Sequence, residues 1–404
     1  MRHGDPMTTP DPAQETPVTA LHSWLTAHHD DLIDDVARLV RRETPSDDKA
    51  SLDRGLDDLL AWLTWRLGTP ESARRIDGGP HGDTVVHHYA GTGAPVLVLA
   101  HYDTVWPLGT LHERPFTVAD GRMTGPGVFD MKAGLVQAVW ALGALRAAGL
   151  PAPPVRLVLG GDEEIGSPAS RPVIEAEADG ACAALVFEAA AGGAVKTARK
   201  GVGLFQVEVC GVEAHAGLDP AAGASAVDEL ARAVIALHAL TDLSAGTSVN
   251  AGVAHGGTRP NVIAGRASAE LDVRVASETE ARRVDAALAA LRPHDPRASV
   301  TVHGGWNRPV MERLDGTARL YALARDVAAH LGVDLAECAV GGASDGNFAA
   351  ALGLPVLDGL GAVGDGAHAR HEYAETAALA ERAALAAGVL NALATTGRTG
   401  TGAA

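Results

Sequence analysis

The chain of 404 residues is poor in cysteine, in aromatics and in positive charge. Its three cysteines, Cys182, Cys210 and Cys338, are odd in number and far apart. That argues against a disulfide framework and fits a reducing compartment. Cys182 and Cys210 stand in apolar surroundings and read as buried thiols. Lysine and arginine total 33 against 50 acids, a formal net charge of -17. Nucleic acid and anionic membranes both demand a basic surface, so neither is the expected partner. No run of 18 or more apolar residues suggests a membrane span. The polar start, residues 1–7, lacks the apolar core of a signal peptide. A cytoplasmic protein is the resulting expectation. No internal repeat is evident, and no glycine-rich stretch ends in the Gly-Lys-Ser/Thr of a phosphate-binding loop.

What is present is globular: 47% of residues are hydrophobic and 21% charged. The length favours two domains. Apolar residues at helical spacing predict one helix over 21–42, another over 56–67 and a third over 132–149. Apolar runs predict strands near 84–90, 96–100, 155–160 and 183–188. Strands alternating with helices in this way imply an α/β domain with a mostly parallel sheet flanked by helices. The pattern changes near Lys200. Residues 204–210 and 267–275 alternate between apolar and polar, as half-exposed antiparallel strands do. With helices at about 223–240 and 277–291 and a strand at about 298–303, they predict an inserted α+β domain over 200–308. The outer domain then spans 17–199 and 309–395. The polar, proline-rich residues 1–16 and the Thr/Gly/Ala-rich residues 396–404 read as disordered.

Acids and a histidine recur just after the apolar runs. His101 and Asp103 follow 96–100, Asp162-Glu163-Glu164 follow 155–159, and Glu188 follows 184–187. The carboxyl ends of parallel strands open into the active-site crevice of α/β proteins. Carboxylates crowded there repel one another unless a cation holds them, which points to a metal site with room for two metals. Asp103 is placed to accept the second ring N–H of a ligand histidine. Asp130, with glycines before it and a helix after it, suits either an N-cap or a bridging carboxylate. Neighbours on extended backbone point opposite ways, so Glu163 and Glu164 would divide metal binding and proton transfer between them. His368 and His371, past a glycine-rich stretch, each could complete the site.

Jointly these stretches resemble the M20 family of zinc-dependent metallopeptidases and amidohydrolases. The matching segments are His101-Tyr102-Asp103-Thr104-Val105, Gly127 to Gly134, Asp162 to Ser167, Glu188, Gly211 to Gly217 and Gly366-Ala367-His368. They fall in family order across about 20–395, and within the family they resemble the carboxypeptidase G2-like branch. The resemblance implies two zinc ions, with cobalt or manganese as substitutes, bridged by Asp130. His101 and Glu188 would bind one, Glu164 and His368 the other; His368 fits the Gly-x-His loop better than His371. Asp103 would orient His101, and Glu163 would be the general base. His215, in the inserted domain, would reach across a homodimer to stabilise the oxyanion in the partner's site. A cis peptide after Asp130 is also implied.

The same branch holds a substrate carboxylate with cationic and amide side chains, here matched by Asn261, Arg274 and Arg308, with Lys200 as a further cation. On its strand Arg274 could equally pair with Asp272 or Glu270. The expected substrate is a small N-acyl amino acid or short peptide, cleaved at the amide to a C-terminal residue, glutamate in the first instance. N-acyl amino acid deacylation is the alternative, and a non-catalytic, metal-binding dimeric relative a remote one.

Overall fold

The computed structural model describes residues 16–396; the disorder expected of 1–15 and 397–404 lies outside them. The first helical stretch is two helices rather than one, Pro17–Ala27 and His29–Val40. The first is launched by Thr16, whose side chain accepts from the Thr19 N–H, with Pro17 in the first turn, where a missing N–H costs nothing. His28 leaves helical geometry (φ -108°, ψ 24°) and breaks the run, although the apolar spacing continues across it. Helix Lys49–Leu67 begins at Asp48, which caps Ser51, and stops at Gly68 (φ 73°).

The main sheet has six strands in the order Ser72–Ile76, Thr84–Tyr89, Val155–Gly160, Val96–His101, Ala183–Val186, Val356–Leu357. The sequence predicted a mostly parallel sheet, and the sheet is mixed. The first two pairings are antiparallel and the other three parallel. Both antiparallel pairings come from one strand, Thr84–Tyr89, which runs against the other five; its apolar run shows a strand but not its direction. The three central strands are buried almost throughout, as parallel strands covered on both faces must be. His101 lies opposite Gly160, and Leu99 opposite Val186. The loops after these strands therefore emerge side by side.

Helix Ala133–Ala147 is buried on nearly all sides between the sheet and helices Pro17–Ala27, Lys49–Leu67 and Ala378–Thr396. By length and composition Val128–Ala147 could cross a membrane, but 83% of it is buried inside the fold, which explains its apolar character. A short antiparallel sheet ties Gly364–Asp365 and Tyr373–Glu375 to Arg122–Thr124 and Thr117–Ala119. It brings the late histidine loop against the turn that carries Asp130.

Residues 201–308 form an antiparallel sheet of their own, ordered Ser248–Gly256, Arg266–Val275, Gly201–Cys210, Ser299–Arg308. Helices Ala226–His238 and Glu278–Ala290, capped by Ser225 and Ser277, cover one face. This sheet has a separate hydrophobic core. Ala267, Ala269, Leu271, Val273 and Val275 all point into it, as the alternation requires. Cys182 and Cys210 are exposed, against the sequence reading. Cys210 follows Val209 at a strand end and takes the outward phase of the alternation, so its apolar neighbours go inward without it.

Candidate metal centre and active site

Three strand-end loops and two distant turns meet at one point. His101, the last residue of its strand, is buried. Its Nδ1 lies 3.1 Å from the Asp103 carbonyl and 3.3 Å from Asp103 Oδ1. Fully buried Asp103 does more than orient this ring. Its carboxylate accepts from Ser46 Oγ (2.8 Å) and from the backbone N–H groups of Glu163 and Glu164 (both 3.2 Å). One acid thus registers the histidine loop against the loop of the two glutamates.

Asp130 takes no helix cap: its backbone is non-helical (φ -117°, ψ 97°), and its peptide bond to Met131 is cis. Oδ1 lies 3.4 Å from His101 Nε2 and Oδ2 lies 3.3 Å from His368 Nε2, so the carboxylate stands between the two rings. Gly127 makes the turn possible. Its φ of 72° suits glycine, and a Cβ there would sit 2.5 Å from the Thr104 methyl. Gly134 lets the following helix approach the Glu188 loop, since a Cβ would meet the Phe187 carbonyl oxygen at 1.9 Å. Glu188 Oε1 is 3.4 Å from His101 Nε2, and Glu164 Oε2 is 2.9 Å from His368 Nε2. His371 is exposed.

Glu163 and Glu164 sit on a 3₁₀ turn, Glu163–Ile165, and not on the extended backbone assumed from the sequence. They still diverge: Glu164 meets His368, while Glu163 Oε1 meets Arg308 Nη2 at 3.0 Å.

Charge is unevenly held here. Burial pushes the Glu163 carboxyl well above its usual range, against the pull of Arg308 and His101. Burial likewise pushes Glu164 up to about 7. Burial would lower His101, but the facing carboxylates of Asp103, Asp130 and Glu188 hold it well above the ordinary imidazole value. Hydrogen bonds to Asp130 and Glu164 push His368 up to about 10. Burial works against Asp130 ionising, yet the two rings keep its pKa below the usual carboxylate range. The acids thus draw both rings toward their protonated forms.

The arrangement fits metal ions. One ligand atom each from His101, Asp130 and Glu164 lie within 4.8 Å of one another, as do atoms from His101, Glu163 and Glu188. His101 Nε2 and Glu164 Oε1 are buried with no hydrogen-bond partner among the described residues. Such orphaned atoms are costly unless something else satisfies them. An all-nitrogen and oxygen donor set suits zinc, cobalt or manganese.

The profile of peptidase family M20/M25/M40 matches residues 97–392, a span that holds every one of these acids and histidines. The chain belongs to this family. As an M20 protein it is a hydrolytic enzyme of a divalent-metal family. It is 30% identical to carboxypeptidase G2 of Pseudomonas sp. (strain RS-16) over 370 residues, covering 88% of each chain. It is 34% identical to acetylornithine deacetylase of Myxococcus xanthus over 220 residues, 50% of this chain and 56% of the relative. The fold matches a tripeptidase from Staphylococcus aureus (TM-score 0.76, 21% identity, 91% and 98% of the two chains). It also matches an M20 family metallo-carboxypeptidase from Sulfolobus solfataricus (TM-score 0.68, 16% identity, 90% and 99%).

The remaining sequence-selected residues of this M20 chain are distributed differently. Arg308 joins the centre, but its donors are engaged by the Gly166 carbonyl, Glu163, Ser167 Oγ and the Asp345 carboxylate. Arg274 spends Nε and Nη2 on Asp272, at 2.8 and 2.9 Å. The side chain of half-buried Lys200 makes no hydrogen bond or ion pair among the described residues. His215 and Asn261 are exposed neighbours on the inserted unit, joined by the Ala216 N–H to the Asn261 carbonyl. The His215 Nδ1 accepts from the Gly217 and Leu218 N–H groups, which leaves the ring proton on Nε2. Sequence reasoning missed Glu372, although it ends the segment read for its histidines. This buried carboxylate accepts from the N–H groups of Gly127, Phe129 and Asp130 and from the Trp106 indole. It also missed Ser46, which carried no local signal.

Proposed function

We propose that the chain is a two-zinc hydrolase that cleaves the amide bond to a C-terminal amino acid, in the first instance glutamate. The observation that carries this reading is the cluster of His101, Asp130, Glu164 and Glu188, met at its exposed side by His368, in which His101 Nε2 and Glu164 Oε1 are buried and orphaned. His101 and Glu188 would hold one ion, Glu164 and His368 the other, with Asp130 between them. When bound, the ions would make a water acidic near neutral pH and polarise the scissile carbonyl.

The chain's own groups do the rest. Glu163, fixed through Oε1 by Arg308, accepts a proton from the attacking water and delivers it to the departing nitrogen. Its burial favours holding that proton between the two steps. The Nε2–H of His215 is free to donate to the developing oxyanion. Because His215 lies exposed on the inserted unit, this reading places it in a second copy's site. Asn261, Lys200, Arg274 and Arg308 are the groups assigned to the substrate carboxylate. Arg274 must exchange Asp272 for it, and Arg308 part of its present set.

A homodimer through the inserted unit is supported by strand Ser248–Gly256. It lies at the edge of its sheet and carries neither lysine, arginine nor acid to guard that edge. Ile235, on the adjoining helix, is 72% exposed. Likeness to acetylornithine deacetylase supports the second reading, N-acyl amino acid deacylation, in which only the pocket differs.

The test is amino-acid release from a panel of N-acyl amino acids and dipeptides, with zinc-loaded, chelated and Glu163→Gln enzyme. Zinc-dependent release from glutamate substrates, lost in Glu163→Gln at unchanged metal content, is expected. Release confined to neutral or basic residues would replace the glutamate reading with the deacylase one. Full turnover in Glu163→Gln would remove the general base.

A further inference from the structure

The metal centre lies at the start of helix Ala133–Ala147. The other end of this helix opens on a cavity of about 450 Å³. Arg146, at its rim, is about 20 Å along the helix from Ala133. The cavity is of a size that takes a small molecule.

Its walls are aromatic, in a chain that has little aromatic residue to spend. Three of the six tryptophans, Trp24, Trp65 and Trp140, line it. The Trp24 and Trp140 rings are 5.7 Å apart, and His28 stacks 4.2 Å from Trp24. The Arg66 guanidinium lies over both Trp65 (4.0 Å) and Trp140 (4.3 Å). Trp65 is 66% exposed, a large apolar surface that packing does not account for.

The polar groups point to a charge. Arg66 is matched by Asp35, whose carboxylate also accepts from the Trp140 indole. Arg146 spends Nη1 on the Leu67 carbonyl. Among the described residues it has no acid within ion-pair distance. In a chain with 17 more acids than bases, an arginine left unmatched beside three tryptophans is a specific feature. His28 donates from Nδ1 to the Trp24 carbonyl, so its Nε2 is an acceptor.

We propose that this cavity is a second ligand site, separate from the metal centre, for a planar aromatic monocarboxylate. The ring stacks against Trp65 and Trp24, and the carboxylate meets Arg146. The stacked faces supply affinity, and the guanidinium supplies selection for the anion.

The test titrates 2-naphthoate into the zinc-loaded full chain and follows quenching of tryptophan fluorescence. Neutral 2-naphthamide serves as the charge control. Saturable quenching is expected, with naphthamide weaker by about tenfold, the scale of one charge-assisted hydrogen bond. Arg146→Gln should weaken naphthoate by a similar factor while leaving naphthamide unchanged. Trp65→Leu should weaken both. Unaltered hydrolytic turnover in each variant shows that the fold is intact. Three results overturn the site: no saturation, equal affinity for acid and amide, or naphthoate binding that neither substitution changes.

Discussion

Under the proposed ligand set, His368 and His101 hold protons that an incoming metal ion would displace. Asp130 and Glu164 push His368 up to about 10, and His101 stands well above its ordinary value. Both rings are therefore cationic at neutral pH in the metal-free chain, whereas a metal ligand must be a neutral imidazole. Loading at pH 7 should release about two protons per chain, and a fraction more from Glu164, whose pKa is about 7. The sign follows: zinc affinity rises with pH across the neutral range and falls in acid, where the rings keep their protons. Titrating zinc into chelated protein in a weakly buffered solution counts the released acid directly. Release of well under one proton would mean that the rings are neutral beforehand, and the charge balance drawn from the geometry would fail.

The element that most constrains the centre is the turn from Gly125 to Asp130, and it is pinned from 242 to 245 residues away. Glu372 gathers three of its N–H groups on one carboxylate. Glu372→Gln keeps the shape but offers one acceptor oxygen and places an amide against N–H donors, leaving at least one of them unpaired at about 1–3 kcal/mol. Because the turn carries Asp130, zinc affinity should fall by roughly 10–100-fold. Competition with a chromophoric chelator measures it, and an affinity within about twofold of the parent would deny Glu372 its positioning role. This element also marks where sequence reading stopped. His101, Asp103, Glu163, Glu164 and Glu188 were legible because buried parallel strands write themselves as apolar runs, and the polar residue that follows each run is conspicuous. Glu372 recognises backbone N–H groups, which any residue supplies, so nothing in residues 125–130 announces it. Ser72–Ile76 and Ser248–Gly256 were missed for the opposite reason. Exposed or edge strands need no apolar pattern. The break at His28 was hidden because apolar spacing ran straight through it.

On the scale of the whole molecule, the separation of His215 from the cluster of acids and histidines decides what the proposed active unit is. The seven residues His101, Asp103, Asp130, Glu163, Glu164, Glu188 and His368 gather in one unit, and His215 lies exposed in the other with its Nε2–H unspent. If a second copy supplies it, each catalytic site is built from two chains, and two dead variants can repair one another. His215→Ala lacks the oxyanion donor that it should give its partner; Glu163→Ala lacks the base but still offers His215. Dissociated and reassembled at equal concentration, half of the dimers pair one variant with the other. In each such dimer one of the two sites regains both groups, so the mixture should recover roughly a quarter of the parental turnover. Size analysis of the mixture establishes that dimers formed. With dimers present and turnover no higher than that of the separate variants, His215 would act within its own chain or not at all. A domain closure bringing it to its own cluster would then have to replace the shared site.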